Sequence, residues 1–152
     1  MSDQTHIYDD GFFEYIETGA RHSAQAVIAA LGPLMPSITS VVDIGCGQGV
    51  WAKTFADQPT VEHVLGVDGD YVSRERLHIP VHDFRAHDLT QELDLGHRFD
   101  LAVSLEVAEH LPDSAAEGFV DTLTKHSDLI LFSAAIPGQG GEHHVNEQPL
   151  NY

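Results

Sequence analysis

Cysteine and positive charge are both scarce in this 152-residue chain. A lone cysteine, Cys46, excludes an internal disulfide framework and makes the cytoplasm the expected compartment. Seven Lys and Arg face 24 Asp and Glu, for a net charge of −17 at neutral pH. Nucleic-acid binding draws most of its affinity from basic side chains that neutralise phosphates, so no nucleic-acid partner is expected. An anionic membrane surface would repel the chain. No apolar run approaches the roughly 18–20 residues that span a bilayer, so no membrane partner is expected either. The N-terminus, Met1-Ser2-Asp3-Gln4, lacks the basic start and apolar core of a secretion signal. Internal repeats and low-complexity stretches are absent.

What is present is an ordinary one-domain composition, 42% hydrophobic and 20% charged, with length enough for a core that needs no staples. Eleven histidines would bring the charge to about −6 if all were protonated. Tyr8, Phe12, Phe13, Tyr15 and Ile16 among acids predict a short amphipathic helix over 8–18, interrupted by Gly19. Tyr8, Phe12 and Tyr15 are candidates for a lid or for the cover of a sheet face. A second helix should start at Ser23, with Ala24, Val27, Ile28 and Leu31 on one face, and stop at Gly32-Pro33.

From there strands and helices alternate. Strands are predicted at 40–44, 63–67, 80–85, 99–105 and 128–133. Helices are predicted at 50–56 and 70–77, and after Ser114, where Ser-Ala-Ala-Glu has capping-box spacing. In that last helix Ala116, Phe119, Val120 and Leu123 should form the buried face. Residues 137–152 read as loop. Such alternation implies a parallel sheet covered on both faces, with ligands at the carboxyl ends of the strands. Chemistry should therefore gather just after residues 44, 67, 87 and 105.

Four segments stand at those places. Gly45-Cys46-Gly47-Gln48-Gly49 is a turn whose glycines permit positive φ and close approach to a ligand. A dinucleotide fingerprint would put its third glycine at position 50, which is Val50; G-x-G-x-G instead argues against a pyrophosphate site. Asp68 ends the second strand 23 residues after Gly45, where an acid can accept both hydroxyls of a ribose; helix capping is its other reading. Asp88-Leu89 after the third strand can meet an adenine amine and ring, or merely form a turn. Glu109 and His110, after Ser104-Leu105-Glu106, could do acid–base work or hold a charged turn.

In this order and spacing V-D-I-G-C-G-Q-G, L-G-V-D, H-D-L and F-D-L-A-V-S-L-E-V-A-E-H-L-P resemble the class I S-adenosylmethionine-dependent methyltransferases, above all their small-molecule branch. The likeness covers about residues 20–137. It implies an α/β fold, a Rossmann-like three-layer sandwich with parallel sheet order 3-2-1-4-5. It implies S-adenosylmethionine as cofactor and a small-molecule methyl acceptor as partner. Gly45 and Gly47 would lie on the methionine part, with Asp43 and the small Cys46 in the same loop. Asp68, with Gly69 beside it, would hold the ribose, Asp88 and Leu89 the adenine, and Leu105 would face the cofactor. Family members usually continue past the fifth strand with a helix and an antiparallel strand pair, whereas this chain stops at Tyr152. A piece of a longer protein, or a curtailed sheet whose bare edge invites self-association, are the two expectations that follow.

The segment Gly140-Gly141-Glu142-His143-His144-Val145-Asn146-Glu147-Gln148 resembles one found in small-molecule and sugar methyltransferases. His144 is the candidate general base for an acceptor hydroxyl. His143, His144 and Glu147 match no strong ligand spacing, so no metal is expected. A non-catalytic cofactor-binding module is the competing reading; a nicotinamide oxidoreductase is disfavoured by Val50.

Overall fold

The computed structural model describes residues 10–141 and 143–149, of which 10–17 are described by their backbone alone. Among the described residues five strands form one sheet: β1 (Ser40–Ile44), β2 (His63–Asp68), β3 (Phe84–Ala86), β4 (Leu101–Leu105) and β5 (Ile130–Ser133). Their order is β3-β2-β1-β4-β5, as the resemblance implies, and every pairing is parallel. The central strands are near-continuous apolar runs, interrupted by Asp43 and Ser104, as suits a sheet covered on both faces. Asp100 fixes where β1 and β4 begin: its Oδ2 accepts the Thr39 and Ser40 amides at 2.7 and 3.0 Å.

Period two divides the side chains between two cores. On one face Val41, Leu101 and Val103 meet Ile28 of α1 (Asp10–Leu31) and Phe55 of α2 (Val50–Ala56). On the other Val42, Ile44, Val67 and Ala102 meet Phe119 and Leu123 of α3 (Ala116–His126), together with Leu93 and Phe99.

Several local expectations are corrected. Gly19 does not interrupt the first helix, and Ser23 does not start a new one; α1 runs unbroken through both. A mid-helix glycine costs only about 1 kcal/mol, and buried Ala24 and Ile28 hold the helix on the sheet. The helix expected over 70–77 is reduced to a single 3-10 turn, Arg74–Arg76. Ser114 does not cap α3, because it lies inside the 3-10 turn Asp113–Ala115 that precedes it. Val120 is 51% exposed; the buried stripe is Phe119, Thr122, Leu123 and His126. Of the proposed lid, Tyr8 lies outside the described residues, while Phe12 and Tyr15 are on the first turns of α1.

Candidate functional site

All four places where chemistry was expected open into one cleft of about 770 Å³ at the carboxyl ends of the strands. Gly45 and Gly47 come from the turn after β1, and Asp68 to Tyr71 from the end of β2. Ala86 ends β3 and His87 to Leu89 follow it, and Glu106, Val107, His110 and Leu111 follow β4. Carboxylates at Asp68, Asp70, Asp88 and Glu106 make this cleft acidic.

The glycines have different tasks. Gly45 (φ +87) is needed because a Cβ there would fall 2.3 Å from Val107 Cγ2. Gly47 (φ +53) has nothing within 4 Å of that position, so its backbone is the open one. Asp68 is 4% exposed. Its Oδ2 accepts the Gly47 amide at 2.7 Å, and its Oδ1 accepts the Gly69 amide at 2.6 Å and the Tyr71 hydroxyl. That pattern aligns the carboxylate on the glycine turn and presents it to hydroxyl donors. Tyr71 shows the arrangement at work: its phenol is such a donor, and its ring lies over Gly69. Burial and the Asp68 hydrogen bond push the Tyr71 hydroxyl above its usual range, so it remains a donor.

Asp88 is exposed, and its Oδ1 accepts the Thr90 amide and hydroxyl at 3.0 and 2.8 Å. The Thr90 amide holds it below the usual carboxylate range. Leu89 packs its side chain against the α3-side core.

Three residues expected at the cofactor do not line the cleft. Asp43 is buried beneath the glycine turn, where its Oδ2 accepts the Ala52 amide of α2 at 3.2 Å. Cys46 is half-buried, with its Sγ toward the Gly47 carbonyl and against Gly66. Burial, then the charges of Asp43 and Asp68, keep it a thiol. Leu105 shares the sheet face of Leu101 and Val103 and packs into the α1–α2 core. The side chains that do reach the cleft from this segment are Glu106, Val107, His110 and Leu111. Glu106 has φ +56, a left-handed conformation at the strand end that no sequence pattern signalled.

The loop after β5 folds back against that segment. Val145 and Asn146 donate their amides to the Glu109 carbonyl at 2.8 and 3.1 Å. His144 Nδ1 lies 3.0 Å from Glu147 Oε1. Glu147 also accepts the Gly138 and Gly140 amides, and the His144 bond foremost holds it below the usual carboxylate range. The His144 and His110 rings meet edge to face, 5.0 Å between centroids. Histidines 34 residues apart in sequence thus stand together: His110 lines the cleft, and His144, which does not, packs against it.

Comparison with known proteins gives this geometry a context. The chain is 34% identical over 93 residues to a ubiquinone biosynthesis O-methyltransferase of Methylobacterium sp. (strain 4-46), covering 57% of this chain and 36% of that relative. A ubiquinone biosynthesis O-methyltransferase of Neisseria meningitidis serogroup C is 29% identical over 123 residues, 74% of this chain and 46% of the relative. The chain therefore spans about a third to a half of the curated relatives it matches. S-adenosylmethionine-bound CalS10, an amino pentose methyltransferase from Micromonospora echinaspora, shares the fold with a TM-score of 0.65 at 21% identity, covering 93% of this chain and 65% of that one. The family described as "Methyltransferase domain" matches residues 15–131, so the chain belongs to the methyltransferase domain family.

Proposed function

We propose that this chain binds S-adenosylmethionine in the cleft and transfers its methyl group to a small-molecule acceptor. The observation that carries this reading is the Asp68 carboxylate, fixed at the end of β2 by the Gly47 and Gly69 amides on the cleft wall. Up to four lone-pair sites are available on a carboxylate. Ribose hydroxyls would take the place of the Tyr71 hydroxyl, the adenine would lie toward Asp88 and Leu89, and the amino-acid tail would lie along the open backbone of Gly47.

The cofactor supplies an already activated methyl group when bound. What remains for the protein is alignment of acceptor, methyl carbon and sulfur. The acceptor would enter past His110 and His144. We place His144 there as the group that receives a hydroxyl proton, with Glu147 orienting its ring. A cleft of this size suits a cofactor and a small partner, and the scarcity of basic side chains speaks against a nucleic-acid acceptor. The single thiol suits a cytoplasmic setting. Among the described residues no helix is long and apolar enough to cross a membrane.

Calorimetric titration with S-adenosylhomocysteine tests the reading. Asp68→Ala should weaken binding by at least about tenfold, the worth of a charge-assisted hydrogen bond of roughly 1.5–3 kcal/mol. Tyr71→Phe keeps the ring and removes the competing hydroxyl, so it should strengthen binding severalfold. Unaltered affinity in Asp68→Ala would sink the proposal.

A further inference from the structure

Methyl transfer from a sulfonium leaves one buried group next to the cleft residue His110 unexplained. Glu109 is 0% exposed, and neither of its carboxylate oxygens has a hydrogen-bond partner among the described residues. Buried carboxylates are costly unless they are paired or coordinate a metal. Beside it stand two imidazoles: the ligating atoms of Glu109, His110 and His144 all lie within 4.8 Å of one another.

Both rings are anchored at Nδ1. That of His110 is 3.3 Å from the His143 carbonyl, and that of His144 is 3.0 Å from Glu147. With the hydrogen of each contact on Nδ1, each Nε2 keeps its lone pair. A carbonyl or carboxylate behind the ring is how metal-binding histidines are oriented. Gly141 contributes by what it lacks, since a Cβ there would fall 2.2 Å from His144 Nε2.

We propose that Glu109, His110 and His144 form a binding site for a first-row divalent transition metal such as Zn²⁺. Two imidazole nitrogens and one carboxylate oxygen suit such an ion, whereas Mg²⁺ and Ca²⁺ favour oxygen donors. Three protein ligands leave coordination positions open. Spacing within 143–147 gave no hint of this because the ligands come from two segments, the turn after β4 and the loop after β5. His110 lines the cleft, which puts the cation on the acceptor's path.

The cation's use in methyl transfer rests on the function proposed above; its binding does not. An acceptor hydroxyl held by the cation loses its proton to solvent more readily. Its oxygen then bonds to the methyl carbon while the carbon–sulfur bond breaks and the electron pair stays on the neutral thioether. A ring that binds the cation has no lone pair for the acceptor's proton, so His144 is then a ligand and not a base.

The test uses the metal-stripped full chain. Zn²⁺ is titrated in competition with a chromogenic chelator, and Co²⁺ is followed by its visible absorption. One Zn²⁺ per chain is expected, with Co²⁺ bands of nitrogen and oxygen coordination. Glu147→Gln, which removes the charge behind the His144 ring and one acceptor of the loop's own amides, should weaken Zn²⁺ by about 10–100-fold. Glu109→Gln, His110→Ala and His144→Ala should weaken it more, and His82→Ala, in the exposed turn before β3, should not. Should Glu109→Gln fail to fold, the two histidine variants, whose side chains are not buried in the core, carry the test. Wild-type protein without saturable one-to-one Zn²⁺ binding, or the ligand variants binding like wild type, would overturn the site. S-adenosylhomocysteine affinity, measured on the same samples, separates this failure from that of the cofactor cleft.

Discussion

Asp43 has the residue position that the glycine-turn motif demands, yet its work lies beneath the turn, not in the cleft. At 3% exposure its carboxyl is pushed up to about 7, chiefly by burial. The Ala52 amide pulls against that, and the Asp68 charge adds to it. The folded protein therefore keeps a proton on Asp43 between about pH 4 and pH 7 that the unfolded chain has released. By linkage this group's contribution to stability is complete below the unfolded value and is lost as pH rises through the folded one. Asp43→Asn keeps an acceptor for the Ala52 amide and removes the titration. Denaturant unfolding of both proteins across pH 4–8 should show wild type losing about 2–4 kcal/mol relative to the variant as pH rises, since each pKa unit is worth about 1.4 kcal/mol. A difference that stays constant with pH would refute the assignment. Lowered carboxylates such as Asp100 and Glu147 act in the opposite sense near pH 4, and taking the difference between the two proteins cancels them.

Elements were legible in proportion to how strongly their own residues dictate them. β1, α2, β2 and β4 read clearly because an apolar run or period is bounded by glycine, proline or a charge. Sheet order came only with the family resemblance, since a motif that marks a strand end does not say which strands lie beside it. Contacts from distant segments hid the rest. Leu105 looks cofactor-facing until the alternation of β4 is followed from Leu101, which turns it to the opposite side. Glu109 and His110 read as a charged turn until the loop of His144 is laid on them by two amides to the Glu109 carbonyl. Gly19 reads as a break, because local propensity cannot register the sheet that holds α1 in place. That last case can be checked. An added Cβ at Gly19 meets nothing within 4 Å, and the residue is exposed in an unbroken helix. Gly19→Ala should raise unfolding free energy by about 0.5–1 kcal/mol. A neutral or destabilising result in chemical denaturation would mean that the helix ends near Ala20.

Across the whole molecule, a charge of −17 bears on which form of the cofactor is favoured. S-adenosylmethionine carries one positive charge more than its thioether product, and both share the same sugar, base and amino-acid tail. The carboxylates of Asp68, Asp70, Asp88 and Glu106 line the cleft that would hold them. Their field, backed by the excess of acids elsewhere, should favour the sulfonium over the product and so help discharge the product after transfer. Buried and exposed charges respond differently to salt. Asp68 is enclosed and is screened little, whereas Asp70 and Asp88 are exposed and act through solvent, where the Debye length falls from about 10 Å at 0.1 M to about 3 Å at 1 M. Raising NaCl from about 0.05 to about 0.5 M should therefore lower affinity for the sulfonium by severalfold and leave affinity for the thioether nearly unchanged. Parallel calorimetric titrations with the two ligands give the ratio directly. An equal salt response for both would show that shape alone, and not the acidic field, distinguishes substrate from product.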